Sequence, residues 1–516
     1  MIVVSGVLVA GVSFWGGDPL RAMPQAPSSS ELAYQFVDTG GVWLSTAGSS
    51  VETPAITYTR IQPGLSGTTP SGFGIFGFRN SDGVLITETS VPASSLIQEG
   101  RTIAQYSVGI INTGIAFVNP NDQETTIDFY FTDIVRPEGE RDFGADSLTL
   151  GPNQQMARFI SEAPFDFETG VRATLTFSSS LPVAAIAVTE SFNLRNETLY
   201  STVPVADISG LPSTDTVYLP HFAESGNWST DFSLINPTDE TITGILGFVS
   251  TGRVNSVNRE WDIPGLSTPV ALNGATSQAL YPYSIAPKGV VLYRTFGGLF
   301  LQTGSARALP NPDDGSAAPI VQVVFSALDP TNFSPLSQAS FVGTSPGLAF
   351  RMYVEAGGEL AAVGSIRSGI AVHNISLEYA DVWTMLTDLN GTVVATGVIP
   401  IPPSGQRSLF LEEMFPDTTL PDSFKGVLRV ATVDQQIAAI ALRSRVNERG
   451  DVLITTTPPA DESAAATGNE VFFPHLVDGG GWSTETVLYS GFPGQFASGH
   501  MRFFDTDGQP FEIPLQ

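Results

Sequence analysis

Apolar and polar residues alternate along much of this chain. Thr125 to Asp133 reads TTIDFYFTD, with Ile127, Phe129 and Phe131 on one face, and Arg172 to Ser180 reads RATLTFSSS, with Ala173, Leu175 and Phe177 sharing a face. A period of two marks strands with one buried side. Val183 to Val188, VAAIAV, is apolar throughout and predicts a central strand. Turn signals fall between such segments: NPND from Asn119, TDLNG from Thr387, DTDG from Asp505 and NSDG from Asn80. Asp-Gly and Asn-Gly supply the positive φ that hairpin turns need. Short strands punctuated in this way predict an all-β fold of antiparallel β-sandwiches. Short helical turns are expected near Ala157 and Ser408, and no long amphipathic helix anywhere.

The pattern also repeats. TGIAFVNP from Thr113 returns as SGIAVHNI from Ser368, and VAAIAVTESFN from Val183 returns as IAAIALRSRVN from Ile437. PHFAESGNWSTDF from Pro220 returns as PHLVDGGGWSTET from Pro474, which sets Trp228 and Trp482 254 positions apart. A stable offset over such distances marks an internal repeat. The repeat holds two unlike modules. The first type is expected at 106–212 and 361–467, and the second at 213–360. The segments 1–105 and 468–516 read as the C-terminal and N-terminal parts of another module of the second type: YQFVDTGGVWLST from Tyr34 parallels YRTFGGLFLQT from Tyr293. Together they are about as long as the intact one, so they could complete one domain within a chain or between chains.

Each module carries a Pro or Gly step followed by a strand with an aromatic: LGPNQQMARF from Leu150, PPSGQRSLF from Pro402 and IAPKGVVLY from Ile285. With the NPxD turn, this resembles the tandem Ig-like and CARDB-like β-sandwich repeats of bacterial secreted and cell-surface proteins. The resemblance implies stalks, spacers or adhesive modules and names no ligand. Modules joined end to end through LPSTD from Leu211 and TPPADESAAATG from Thr457 would form such an array, with bending at the second, Ala- and Ser-rich joint. Half-modules pairing between chains would make filaments.

Composition narrows the function. The net charge is −28, from 51 acids against 23 bases, and Lys288 and Lys425 are the only lysines. A surface so poor in cations disfavours nucleic acid and anionic lipid as partners. There is no cysteine, which excludes disulfides, thiolate catalysis and Cys-based zinc sites. The opening MIVVSGVLVAGVSFW is apolar like a signal peptide but has no basic residue before Arg21. It reads either as a signal-like segment or as a pair of strands. No membrane span is identified. An extracellular or cell-surface location is expected.

Four residues stand out as candidate ligand contacts: His221, Trp228, His475 and Trp482. Ser229 and Asp231 near His221 suggest a hydrolytic triad, but the acid is not kept in the second copy and no nucleophile elbow surrounds the serine. An aromatic beside polar groups could instead stack on a sugar of a surface glycan, and a tryptophan in a sandwich most often packs on the core. Asp505, Asp507 and Glu512 resemble a calcium loop, with Gly508 too early for an EF-hand. Glu162 and Glu413 recur behind Phe159 and Phe410, which favours a structural role over paired acid-base carboxylates. No catalytic residue or cofactor is assigned. The expected function is a non-enzymatic spacer, adhesin-like array or filament subunit, and the alternative is a carbohydrate-binding accessory region of a larger secreted protein.

Overall fold

The computed structural model describes residues 28–46, 54–135, 141–168, 170–254, 263–295 and 300–514. The N-terminal segment with its signal-like or strand reading lies outside the described residues. The fold is all-β with antiparallel sheets, and among the described residues the one α-helix is a single turn, Leu411–Met414. No helix among them is long and apolar enough to cross a membrane. The alternating segments are strands, and Ile127, Phe129, Phe131, Ala173, Leu175 and Phe177 are all buried. The turn glycines Gly83, Gly391 and Gly508 have the positive φ that the Asp-Gly and Asn-Gly signals predict.

Residues 217–342 form two four-stranded sheets. One runs Val217–Glu224, Gln302–Pro310, Ile242–Ser250, Leu280–Ile285, and the other Val290–Arg294, Trp228–Ile235, Ile320–Leu328, Pro335–Val342. The same two sheets occur again, assembled from both ends of the chain. Val471–Asp478, Ala55–Pro63, Phe496–Asp505 and Glu31–Val37 make the first, and Gly41–Ser45, Trp482–Tyr489, Ser71–Arg79 and Leu85–Pro92 the second. The strand orders are identical, so this split sandwich is a circular permutation of the intact one. The two end segments thus pair with each other within the chain.

Each of the other two units is one sheet folded over on itself. In the first, the long strand Val171–Phe192 pairs with Leu96–Ser107 and Thr125–Asp133, then past Ser180 with Ile111–Val118. In the second, Phe424–Ala431 and Ile437–Val446 divide that role. Leu96–Ser107 and Ala349–Gly357 belong to these folded sheets. The sequence boundaries at 105 and 360 therefore fall about one strand too late, because only the short turns 93–95 and 343–348 separate those strands from the preceding unit.

The units do not string out end to end. One strand from each, Leu85–Pro92, Thr198–Val203, Pro335–Val342 and Val452–Thr457, meets the others at a common centre. The Thr202 hydroxyl donates to the Ser90 carbonyl, and Ser340 Oγ donates to the Thr202 carbonyl at 2.8 Å. Thr456 Oγ1 donates to the Ser340 carbonyl at 2.6 Å, and Ser90 and Thr456 hydroxyls lie 3.1 Å apart. Four apolar interfaces close the ring. Ile103 and Val203 pack with Ile235 and Val290, Phe325 with Ile440 and Ile454, Tyr353 and Val427 with Phe73 and Tyr489, and Val118 and Ala184 with Tyr58 and Phe472. The halves face each other through equivalent groups: Arg195 pairs with Asp451 at 2.7 Å, and Arg449 pairs with Glu197 at 2.5 Å. Such reciprocal pairing is the mark of a twofold relation.

Polar side chains pin the corners. Asn119, Asn236 and Asn374 are fully buried, and each donates to three backbone carbonyls of its own unit. The second joint is tied down at its start. Ala460 lies opposite Arg351, and the Glu462 carboxylate takes Arg351 at 2.6 Å and Arg429 at 2.7 Å. Bending was expected there from its composition, but the buried Arg351 needs a counter-ion and holds the chain in place.

Candidate functional site

The two His/Trp segments are hairpins that carry the chain from one sheet of a sandwich to the other. Their turns hold three successive positive φ values, at Ser225, Gly226 and Asn227 and again at Gly479, Gly480 and Gly481. Glycine enters that region without strain, which explains why GGG can stand for SGN. The Thr of the Trp-Ser-Thr motif locks the hairpin. Thr230 Oγ1 donates to the Ala223 carbonyl at 2.7 Å and accepts from the Ala223 N–H at 3.1 Å. Thr484 does the same with Val477, at 2.8 and 3.3 Å.

Each hairpin places its histidine and tryptophan in a cavity at the interface with a folded-sheet unit. His221 and Trp228 line one of about 430 Å³, with Phe325, Ile370, Phe410 and Leu442. His475 and Trp482 line the other, about 330 Å³, with Phe76, Ile115, Phe159 and Val188. The two are equivalent in the repeat. Gly114 lines the smaller cavity, and a Cβ there would come within 3.1 Å of the Phe159 ring.

The candidate residues are thus brought together in pairs, and Ser229 and Asp231 do not join them. His221 Nδ1 lies 3.0 Å from Gln406 Nε2, which donates to it, and 3.2 Å from Ser408 Oγ. Asp231 is instead bound by Arg294 at 2.5 Å. Burial lowers the pKa of both histidines to about 4, so both imidazoles are neutral at pH 7. Trp482 packs against Phe78 and Tyr200, with ring centroids 5.0 and 5.2 Å away. Glu162 accepts the Phe159 N–H and Glu413 the Phe410 N–H, both at 2.8 Å, so these repeated carboxylates cap turns. Asp505 accepts the N–H groups of Asp507 and Gln509, and Asp388 those of Asn390 and Thr392, as turn-forming aspartates do. Among the described residues no group of three or more His, Asp or Glu is placed to hold a metal ion.

A second polar cluster escaped sequence reasoning. Arg443 is buried, 2.7 Å from Glu88 and 3.0 Å from Glu355, and the Tyr353 hydroxyl donates to Glu355 at 2.7 Å. Burial pushes Glu355 upward, but the Arg443 charge and hydrogen bond, the Tyr353 hydrogen bond and the Lys425 charge together outweigh it and hold the carboxyl below its usual range. Burial raises the Glu485 carboxyl, to which Trp43 Nε1 donates at 3.3 Å. One signal was available: where the first copy has Thr189 and Ser191 after its apolar strand, the second has Arg443 and Arg445.

No family model matches the chain, and no curated protein matches it. Solved structures of infectious bursal disease virus show a faint likeness. The Gx strain gives a TM-score of 0.13 at 11% identity, covering 83% of this chain and 84% of that chain. The Gt strain gives 0.10 at 8%, covering 96% and 84%. The VP2 subviral particle gives 0.10 at 8%, covering 96% and 83%. Likeness at this level carries no argument about fold or function.

Proposed function

We propose that this chain is a non-enzymatic β-sandwich block, displayed outside the cell as a rigid lobe with an adhesive or structural role. One observation carries the reading: Ser29 lies opposite Ile513 in an antiparallel pair, so the described chain enters and leaves side by side. A row of sandwiches separates its ends and adds length; a closed ring with adjacent ends adds almost none and projects sideways. The four apolar interfaces support a single stiff body. The cation-poor surface and lack of cysteine suit an exported protein of the Ig-like or CARDB-like kind. A glycan-binding role gains less support, because Trp482 already spends its ring on Phe78 and Tyr200.

Small-angle X-ray scattering tests this. A compact chain of 516 residues should have a radius of gyration of about 24 Å. Four domains in a row would give roughly 40 Å, taking about 13 Å for each 100-residue domain. A value near the larger figure, or assemblies that grow with concentration, would instead favour an extended array or pairing of the end segments between chains.

A further inference from the structure

Two histidines bridge one interface of the ring, from opposite sides. The interface lies between the intact sandwich and the second folded sheet. His221, on the sandwich strand Val217–Glu224, accepts from Gln406 Nε2 at 3.0 Å and lies 3.2 Å from Ser408 Oγ, both on the folded sheet. His373, on the folded-sheet strand Ile366–Asn374, lies 2.9 Å from Ser305 Oγ of the sandwich and donates from Nδ1 to the Gly405 carbonyl at 3.1 Å. Both side chains are buried.

The equivalent interface, between the split sandwich and the first folded sheet, is built differently. Val118 stands in the place of His373 and Tyr58 in the place of Ser305, and they pack with Ala184 and Phe472. His475, the counterpart of His221, is half-buried, and its Nδ1 has no hydrogen-bond partner. Ala157 occupies the place of Ser408, and Gln155, in the place of Gln406, gives its amide to the Pro474 carbonyl at 2.7 Å. One interface is thus bridged by two imidazoles and its equivalent, among the described residues, by none.

An imidazole in such a place makes an acid-sensitive fastening. Burial lowers His221 and His373 from 6.5 to about 4, and an open interface would return both to water. Below pH 6.5 the open form therefore binds more protons than the closed one, and acid favours opening. Among the described residues neither imidazole is ion-paired with a carboxylate. Arg307, two residues past Ser305, adds to the cost of charging His373, and Arg407 beside it donates to the Thr251 and Gln406 carbonyls. The Tyr218 ring lies 6.2 Å from His373. Around His221, Glu413 holds the Phe410 N–H, Arg443 is taken by Glu88 and Glu355, and Glu224 lies three residues along the strand.

We infer that acid opens the ring at one place, the interface between the intact sandwich and the second folded sheet, while the equivalent interface holds to lower pH. This rests on the closed ring of the display-lobe reading and adds where that ring gives way.

Two backbone amides report the two interfaces. Gln406 N–H donates to the Thr251 carbonyl across the first at 2.9 Å, and Gln155 N–H to the Thr506 carbonyl across the second at 3.1 Å. Hydrogen exchange of both, in the full chain at neutral pH and near pH 5 and corrected for the intrinsic rate, is the test. Near pH 5 each histidine that opening exposes should favour the open form about 30-fold, from the gap between about 4 and 6.5. Gln406, with two such histidines, should lose about 30-fold more protection than Gln155, which has His475 alone. His221→Gln combined with His373→Gln should remove that excess, and His475→Gln should leave Gln406 unchanged. Equal loss at the two amides overturns the inference, as does an excess that survives the double variant. If the double variant does not fold, the comparison of the two amides in the wild type decides alone. Amides already unprotected at neutral pH would sink the closed ring, and this inference with it.

Discussion

Arg443 holds the carboxylate of Glu88 at 2.7 Å across 355 positions of sequence. Both side chains are almost wholly buried, and they belong to different units: Arg443 to the second folded sheet, Glu88 to the part of the split sandwich that comes from the start of the chain. The pair therefore fastens the end of the chain that closes the ring. Glu355 shares the same guanidinium at 3.0 Å.

Arg443→Met should leave the buried Glu355 without its ion-pair partner and the buried Glu88 with Arg445 alone, 3.1 Å away. The expected loss is about 3–5 kcal/mol, the usual consequence of breaking a buried pair from one side. Urea unfolding measures it. Adding Glu88→Gln and Glu355→Gln should recover part of the loss, and a single mutant as stable as wild type would refute the fastening role.

Two buried histidines, His221 and His373, and the half-buried His475 should make the fold acid-sensitive. Burial lowers His221, His373 and His475 from 6.5 to about 4. Between those values the unfolded chain binds more protons than the folded one, so stability falls as the pH falls from 6.5 towards 4. Above that window these groups change nothing. The linked loss is of order 3 kcal/mol per histidine once the window has been crossed. Glu190, Glu224 and Glu485, which burial raises, act in the opposite direction. The informative comparison is a His221→Gln, His373→Gln, His475→Gln variant, whose unfolding midpoint should depend less steeply on pH across this window.

Asn374→Ala should cost about 3 kcal/mol, because it leaves the carbonyls of Glu378, Ile401 and Pro402 without the side-chain amide that now serves all three. Asn236→Ala should behave alike, since Asn236 serves Glu240, Ile285 and Ala286. An exposed asparagine such as Asn390, replaced in the same way, should lose much less. Denaturant midpoints at constant slope would show the contrast.

A circular permutant should fold. Joining residue 514 to residue 28 by a short Gly-Ser linker and opening the chain at Gly210, which is exposed and leaves a Cβ in open space, would turn the split sandwich into a continuous one. Its melting temperature should stay within a few degrees of the parent. An unfolded or aggregated permutant would argue that the end segments must be synthesised apart.

Much of this was legible in the chain. The period-two segments and the Asp-Gly and Asn-Gly turns determined strand identity, because strand burial and turn φ are local properties. The 254-residue offset determined that unlike modules alternate, and the matching end segments that a module is divided. The repeated Glu162 and Glu413 were readable as structural, and both cap turns. The His/Trp segments were recognisable as special, although not as hairpins that cross between sheets.

Only the tertiary structure decided how the pieces meet. Whether the two ends pair with each other, whether four units string out or close into a ring, and which carboxylate reaches Arg443 all depend on contacts between residues hundreds of positions apart. A local pattern fixes which face of a strand is apolar, but not which other apolar face covers it. The cavities arise the same way: His475 and Phe159 share one because two separately readable units happen to dock, and the unpaired nitrogen follows from an alanine in the other unit.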